Sequence, residues 1–524
     1  MKKKSVVIIG AGPAGLSTAY KLLKSSNEYN VTILEVEKIV GGISKTIEFD
    51  GYKIDTGIHR FFTKNEEVNT LWNEVLKTQS KPAYDDIILN RKKEYDKNGL
   101  DPEKEDKCFL IKDRYTRIYY GNKFYDYPVK LNIKTITNMG FLTFIKAGFS
   151  YLKATMFKKK ETNLENFYIN RFGKVLYKMF FESYTEKVWG IHPSKISADW
   201  GKQRVKGLSI RKILKECLKK TFHIKKNSNT ETSLIDSFIY PKLGSGQIYE
   251  EMANTITNLG GKIIYEAKVK EINVDKNNNI NKIIYLKNNK KETIECDICV
   301  SSISIKNLFE LLKNINIPKK IYDSALKLPY REFMSVGLVV NEFNMKNNSK
   351  IKTINNIIPD SWIYMQEPSV KMGRIQIFNN WSPYMFKKKE DINNKAMISL
   401  EYFCSKDDKY WNMSDKEFID FAIKEAEKLN ILKKENVLNS TRIKIDKAYP
   451  AYFGTYKDIE KIKDFINTKI NNLYCIGRNG QHRYNNMDHS ILTGLRAVDA
   501  ITGKINKEEI WNVNVEQEYH EEKK

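Results

Sequence analysis

The first residues whose types and spacing suit chemistry are three glycines near the N-terminus. Gly10, Gly12 and Gly15 have GxGxxG spacing, with Ala14 just before the last of them. In such a loop the first glycine permits a tight turn, the second lets a pyrophosphate approach the backbone, and the third lets a helix pack closely on a strand. The free N–H groups and the dipole at the start of that helix also favour the pyrophosphate. The pattern therefore predicts a loop that holds a dinucleotide.

A strand, a helix and a second strand must position this loop. Residues 5–10 form a short apolar run typical of a buried strand, residues 11–23 have helical spacing, and residues 31–35 form another apolar run. The second run ends at Glu35, twenty residues after Gly15. A carboxylate at this place accepts hydrogen bonds from the ribose hydroxyls of adenosine. These features together predict a Rossmann unit.

The composition limits the class of protein. The chain has 524 residues, of which 41% are hydrophobic, so we expect a globular protein with two or more domains. No apolar stretch approaches the length of a membrane span, and we expect a cytoplasmic location. The formal net charge of +25 would suit an anionic partner, but lysine and asparagine are common in every loop, and no motif interleaves basic and aromatic residues. We therefore expect no nucleic-acid partner.

The six cysteines are scattered, which is typical of a reducing compartment. Cys296 and Cys299 have CxxC spacing, but they open a strand-like run. Residues three apart on a strand point to opposite faces, so this pair is poorly placed to share a metal. We expect ordinary burial for both thiols and no bound metal.

A second glycine pair distinguishes between dinucleotides. Gly41 and Gly42 follow shortly after Glu35, and Thr46 follows them. This segment resembles the second signature of the flavoprotein superfamily of amine oxidases, protoporphyrinogen oxidases and UDP-galactopyranose mutases. The resemblance implies that the cofactor is FAD and that the glycine pair lies on the diphosphate and flavin side of it.

Three further segments resemble the UDP-galactopyranose mutase branch in particular. Residues 57–63 (GIHRFFT) are similar to its histidine loop beside the flavin, residues 184–190 (YTEKVWG) to its uridine and substrate pocket, and residues 475–487 to its C-terminal flavin motif. With the residues above, the resemblance implies catalytic roles for Arg478, His59, Tyr484 and Arg374, substrate contacts for Tyr184, Trp189, Tyr449 and Arg204, and cofactor contacts for Gly10, Gly12, Ala14, Gly15, Glu35, Gly41, Gly42, Thr46, Gly57, Gly477, Arg478 and Met487.

The chain also departs from that branch. Phe62 stands where the histidine loop carries a further histidine, and no clear counterpart exists for the arginine that clamps the substrate diphosphate, although Arg204 is near its place. Residues 240–246 (YPKLGSG) look more like the oxidase branch. Two mechanisms therefore stay open. The first acts on a nucleotide-activated sugar or similar diphosphate substrate through flavin N5, without net redox change. The second removes a hydride from a C–N or C–C bond. A non-catalytic dinucleotide-binding protein is the third alternative.

The expected fold class is α/β, with a Rossmann-type FAD-binding domain of the glutathione-reductase kind, an antiparallel-sheet substrate domain and a helical insertion. The polar and apolar alternation in residues 330–405 predicts the antiparallel sheet. The expected parts are FAD-binding at 1–60, a mainly helical substrate-domain insertion at 61–240, FAD-binding again at 241–325, the substrate-domain sheet at 326–450, a C-terminal FAD-binding part at 451–510 and a tail at 511–524.

One apolar segment has two interpretations. Residues 140–157 carry Lys146 and Lys153 among apolar side chains. Such a helix can lie on a membrane surface, but we favour a helix that covers the substrate cavity. The expected partner is a small-molecule substrate, with a homodimer as an open alternative.

Overall fold

A parallel five-stranded sheet forms the first layer of the protein. The computed structural model describes residues 3–127, 129, 133–198, 200–201 and 237–514. The strands of this sheet are mostly buried, as in sheets that carry helices on both faces. In spatial order they are Lys262–Ile264, Tyr29–Leu34, Lys4–Ile9, Ile298–Ser301 and Leu473–Cys475.

The predicted Rossmann unit is confirmed, with element ends within two residues of those expected. The helix Pro13–Ser25 follows the first strand and begins with proline, whose fixed φ suits the first helical position. It packs against the helices Gln247–Asn258 and Met487–Ile501. The carboxyl ends of the parallel strands therefore meet at one edge, where a ligand binds in open α/β sheets.

A seven-stranded sheet forms the second layer. Its neighbouring strands are antiparallel except for one parallel pair, Trp362–Met365 with Thr116–Tyr120. The antiparallel sheet predicted from residues 330–405 is thus confirmed, and the α/β fold class with it. Two of its strands come from the segment expected to be mainly helical. The spatial order is Val437–Pro450, Tyr330–Val340, Ala396–Cys404, Arg374–Ile377, Trp362–Met365, Thr116–Tyr120 and Lys123–Asp126.

Three smaller sheets and several helices complete the described residues. The small sheets contain Lys290–Glu295, Ile280–Lys287, Lys268–Val274 and Leu312–Lys313; Thr46–Phe49 and Tyr52–Asp55; and Lys77–Thr78, Cys108–Asp113 and Ser237–Pro241. The remaining α-helices are Glu66–Val75, Tyr84–Leu89, Ile133–Met139, Phe141–Met156, Leu164–Tyr177, Ser183–Trp189, Ile305–Leu311, Lys319–Leu326, Lys409–Asn412, Asp415–Lys428, Ile459–Lys469 and Gly477–Gly480.

The preferred interpretation of residues 140–157 is wrong. The helix Phe141–Met156 packs on the helix Leu164–Tyr177, and none of its residues lines the central cavity. Leu164–Tyr177 forms the cavity wall in its place. Helical periodicity shows that a helix has an apolar face, but it does not show which neighbour that face meets. Among the described helices, none has both the length and the apolar character that crossing a bilayer requires.

The two cysteines with CxxC spacing are buried as expected. The Cys296 thiol donates to the Ile280 carbonyl at 3.7 Å, and Cys299 lies on a central strand of the parallel sheet. Burial raises the pKa of the Cys296 thiol to about 12. A thiol in this environment stays protonated at neutral pH and acts as a small apolar group.

Candidate active site

One large cavity lies between the two main sheets. Its volume is about 1520 Å³, and it extends from the glycine loop at the carboxyl edge of the parallel sheet to aromatic side chains beside the seven-stranded sheet. Gly10 and Glu35 line one end, and Trp189 lines the other. The strand ends of the parallel sheet thus open into a space large enough for a dinucleotide and a second ligand.

Two glycine turns approach each other at the first end of the cavity. Gly12 caps the helix Pro13–Ser25, and Gly42 has a left-handed φ of 54°. A β-carbon added at Gly42 would lie 3.2 Å from the Cα of Gly12, closer than ordinary van der Waals contact. Glycine at position 42 therefore allows the two turns to approach closely, and Gly12 and Gly42 both line the cavity beside the helix N-terminus, as a pyrophosphate site requires.

Glu35 is buried at the end of the second strand. One of its carboxylate oxygens accepts from the Ala11 N–H at 2.7 Å, and the other accepts from the Glu37 N–H at 2.9 Å. Burial raises the pKa of Glu35, and the two backbone N–H groups partly offset this. Glu35 lines the cavity, and each oxygen has a further lone pair, so the carboxylate can accept from a ribose hydroxyl.

Three of the expected cofactor residues do not line the cavity. A β-carbon at Gly15 would lie 2.0 Å from the Gly10 carbonyl oxygen, so Gly15 allows the helix to pack on the strand. Gly41 forms the turn before Gly42 with a left-handed φ of 101°. Thr46 donates to Asp55 at 2.7 Å and accepts from the Gly246 N–H at 2.8 Å. Its hydroxyl therefore joins the strand Tyr52–Asp55 to the start of the helix Gln247–Asn258.

The C-terminal motif reaches the same cavity from the last strand of the parallel sheet. Gly477 has a left-handed φ of 75°, and a β-carbon there would lie 3.1 Å from the β-carbon of Ala14. Both residues line the cavity, as does Met487 at the start of the helix Met487–Ile501. The free N–H groups and the dipole at this helix N-terminus favour a ligand with negative charge.

Arg478 is held by backbone carbonyls on two sides. Its Nε donates to Asn485 at 2.8 Å and its Nη1 to Ala448 at 3.0 Å. Its guanidinium carbon lies 5.4 Å from the ring centre of Tyr449 and 4.8 Å from that of Tyr484. The charge therefore has a fixed orientation on the cavity wall.

Arg374 occupies the facing strand edge. Its Nε donates to the fully buried Glu401, and its Nη2 donates to the Tyr449 hydroxyl at 3.2 Å. Gln376 donates to the other oxygen of Glu401 at 2.6 Å. Burial lowers the pKa of Arg374, but Glu401 and the nearby tyrosines outweigh burial and raise it, so the guanidinium stays charged.

His59 lies beside both arginines on the cavity wall. Its Nδ1 is 3.4 Å from the Ser245 hydroxyl. Burial lowers the pKa of His59 to about 3, and the positive charges of Arg478 and Arg374 contribute to this shift. The imidazole is therefore neutral at ordinary pH, with one nitrogen that donates and one that accepts.

Aromatic side chains line the second end of the cavity. The ring of Tyr184 meets that of Tyr364 edge-on at 5.6 Å, and Trp189 meets Trp200 edge-on at 5.6 Å. The indole N–H groups of Trp189 and Trp200 are buried and have no acceptor among the described residues. Both indole rings line the cavity. Arg204, the fourth expected substrate residue, lies outside the described residues.

Arg114 is a cavity residue that sequence reasoning missed. It lies in the turn between the strands Cys108–Asp113 and Thr116–Tyr120, and its guanidinium is 5.9 Å from the ring centre of Tyr127 and 5.6 Å from that of Trp362. Its buried Nε and Nη1 have no acceptor among the described residues. A charged residue in a short turn usually faces solvent, so the local sequence carried no signal of this position.

The lining suits a flavin dinucleotide. Two bare glycine turns, a buried carboxylate and a second helix N-terminus face one continuous cavity. The family model of the flavin-containing amine oxidoreductases matches residues 13–502. The chain belongs to this family. Its cofactor is FAD, and it is a flavin-dependent enzyme.

Comparison with individual proteins agrees on the fold. The crystal structure of a reduced UDP-galactopyranose mutase superposes with a TM-score of 0.75 at 20% identity, covering 99% of this chain and all of that one. A putative protoporphyrinogen oxidase from Exiguobacterium superposes with a TM-score of 0.64 at 13% identity, covering 96% and 100%. A phytoene desaturase from Fusarium fujikuroi is 45% identical over only 65 residues, 12% of this chain and 11% of that protein.

Proposed function

We propose that this flavoenzyme acts on a nucleotide-activated sugar or a similar diphosphate substrate, as UDP-galactopyranose mutases do. The observation that carries the proposal is the pair of guanidinium groups, Arg374 and Arg478, which line one cavity together with Tyr449 and Tyr484. Two fixed positive charges with tyrosine hydroxyls between them suit a substrate that carries phosphate close to the reacting carbon.

The tyrosines are donors in this arrangement. Burial raises the pKa of Tyr449 and of Tyr184 above the usual value near 10, so both hydroxyls stay protonated at neutral pH. Tyr449 already accepts from Arg374 Nη2, so its own proton is free to point toward a phosphate oxygen. The hydroxyls and the guanidinium groups together orient the diphosphate.

The aromatic end of the cavity suits the nucleoside. Tyr184 and Tyr364 offer flat apolar surfaces, and the rings of Trp189 and Trp200 line the same part of the cavity. Arg114, between Tyr127 and Trp362, adds a third positive charge there. These groups hold a nucleotide by stacking and by charge while the sugar reaches toward the flavin.

Bound FAD supplies the reactive centre, as a nucleophile at N5 when reduced or as a hydride acceptor when oxidised. The contribution of the chain is to hold the substrate and to exclude water. Arg374 is oriented by Glu401 and Arg478 by backbone carbonyls, so neither charge has to reorganise when the charge of the substrate changes. The neutral His59 can donate or accept one hydrogen bond between them.

One observation favours an oxidase as the second candidate. A further part of the cavity wall consists of Tyr168, Phe172, Leu176, Phe180 and Phe181. Tyr168 and Phe172 both stack on Phe181, at 4.4 and 4.7 Å between ring centres. This wall is apolar and suits a hydrophobic substrate. The oxidised flavin would accept a hydride from a carbon atom of a C–N or C–C bond in that substrate.

Product analysis with a panel of nucleotide sugars, with and without dithionite, separates the two candidates. Mutase chemistry requires turnover only after the flavin has been reduced, without consumption of reductant. Stoichiometric bleaching of the oxidised flavin by a substrate, in the absence of dithionite, would establish net oxidation in its place.

A further inference from the structure

The helix Phe141–Met156 turns its large apolar side chains to the outside of the protein. Phe141, Leu142, Phe149 and Met156 are 70–75% exposed, far more than apolar residues of an ordinary surface helix. We call these four, with Ile145 and Leu152, the apolar ridge. At about 100° of rotation per residue the ridge spans an arc of about 100° on one face of the helix.

The opposite face of this helix is already packed. Ala147 and Ala154 are buried, and the Ser150 hydroxyl accepts from the Val175 N–H at 3.2 Å. A β-carbon added at Gly173 would lie 2.7 Å from the Tyr151 backbone nitrogen, so the helices Phe141–Met156 and Leu164–Tyr177 touch backbone to backbone. Small residues face inward and large apolar residues face outward, the reverse of a helix that buries its apolar face.

The segment that carries the ridge has charged residues of one sign. Residues 133–160 contain six lysines and no aspartate or glutamate. All six, Lys134, Lys146, Lys153, Lys158, Lys159 and Lys160, are exposed. Lys146 and Lys153 lie directly beside the apolar arc on the helix surface. Apolar side chains bordered by ammonium groups are the pattern of a helix that lies in the headgroup region of a membrane.

We propose that residues 133–160 bind the surface of an anionic lipid bilayer. The helix Phe141–Met156 has 16 residues, about 24 Å of length. It would lie parallel to the membrane, with the apolar ridge at the boundary of headgroups and acyl chains and the lysines among the phosphates. A second copy of this chain fits the surface poorly, since it would bring two sets of six lysines together.

This placement has a consequence for the cavity. The ridge helix rests on Leu164–Tyr177, whose residues Tyr168, Phe172 and Leu176 line the apolar part of the cavity wall. When the protein binds a bilayer through this helix, the bilayer would be separated from the cavity by one layer of helices. The inference does not depend on which substrate the enzyme uses.

Co-sedimentation of the FAD-loaded enzyme with lipid vesicles tests the proposal. We expect binding to vesicles that contain phosphatidylglycerol, weakening with added salt, and little binding to vesicles of phosphatidylcholine alone. The double variant Leu142→Gln/Phe149→Gln should weaken binding at least tenfold, because two exposed apolar groups no longer enter the bilayer. Replacement of Lys158, Lys159 and Lys160 by Gln should weaken it by about fivefold for each charge.

The matched control is Ile87→Gln, which removes a 58% exposed apolar side chain on another helix and should leave vesicle binding unchanged. Flavin content and thermal unfolding confirm that each variant is folded, since all substituted side chains are exposed. Equal binding by the wild type and the double variant would overturn the proposal. A second result would also overturn it. In that case the wild type does not bind vesicles but forms a dimer in sedimentation equilibrium, and the double variant is monomeric.

Discussion

The phenol rings of Tyr449 and Tyr484 stack at 5.5 Å, and the guanidinium of Arg478 lies over both. Tyr449 lies in the longest strand of the seven-stranded sheet, Val437–Pro450, whereas Arg478 and Tyr484 follow the last strand of the parallel sheet, Leu473–Cys475. The contact therefore joins the two layers at the candidate active site. It fixes a positive charge where the substrate and the flavin would meet.

Arg478→Ala should lower the reduction potential of the bound flavin. A cation favours the reduced, anionic flavin over the oxidised one, and each lost 1.4 kcal/mol on a two-electron couple corresponds to about 30 mV. Arg478→Lys should keep FAD but turn over slowly, because an ammonium group has no planar fork for both backbone carbonyls. Spectroelectrochemical titration measures the potential. Arg483→Ala is the control, since Arg483 donates to the Trp511 and Val513 carbonyls and does not itself line the cavity.

Gly42→Ala should reduce the affinity for FAD at least tenfold, or about 1.4 kcal/mol. The new methyl group would lie 3.2 Å from the Gly12 Cα, between the two turns where we place the pyrophosphate. Gly121→Ala is a closely matched control, because Gly121 has a φ of 57° against 54° for Gly42 but has nothing within 4 Å. Both variants place a side chain at a similar positive φ, which L-residues disfavour. Equal FAD affinities of the two variants in a fluorescence titration would place the pyrophosphate elsewhere.

His59→Gln should make the protein less sensitive to acid. Burial and two arginines hold the pKa of His59 at about 3 in the folded protein, whereas an unfolded chain binds the proton near pH 6.5. The unfolded state therefore binds more protons between pH 6.5 and 3, and stability falls as the pH falls through this window, by up to about 1.4 kcal/mol for each pH unit.

The measurement is the difference between wild type and His59→Gln in urea unfolding at several pH values. The difference is needed because other groups also titrate in this pH range. Burial raises the pKa of Asp55 to about 6, so the protonation of Asp55 increases the stability of the folded protein as the pH falls, opposite to the effect of His59. His192→Gln, a change at a residue that does not line the cavity, is the control. If the two variants show the same pH dependence of unfolding as the wild type, His59 is not buried beside the arginines.

Arg114→Ala should raise the KM for a diphosphate-containing substrate by about ten- to hundredfold, because a hydrogen bond to a charged group contributes about 1.5–3 kcal/mol. FAD affinity should stay unchanged, since Arg114 lies at the aromatic end of the cavity. Arg171→Ala is the control, as Arg171 pairs with Glu161 outside the cavity. Steady-state kinetics with the substrate found in the nucleotide-sugar panel gives the answer. An unaltered KM would mean that the substrate anion does not reach Arg114.

The amino-acid sequence by itself determined the Rossmann unit and the flavin motifs, because a strand, a glycine turn and a helix in succession are specified by short-range periodicity and by glycine conformation. Only the tertiary structure decided what the motif residues touch. Arg374 and Glu401 lie on neighbouring strands, and Arg114 enters the cavity from a turn that reads as solvent-exposed. Thr46, expected to contact the cofactor, instead forms hydrogen bonds with Asp55 and with the Gly246 N–H. The helix Phe141–Met156 has the same periodicity whichever face it buries, and its outward apolar ridge follows from the small residues that pack it against Gly173.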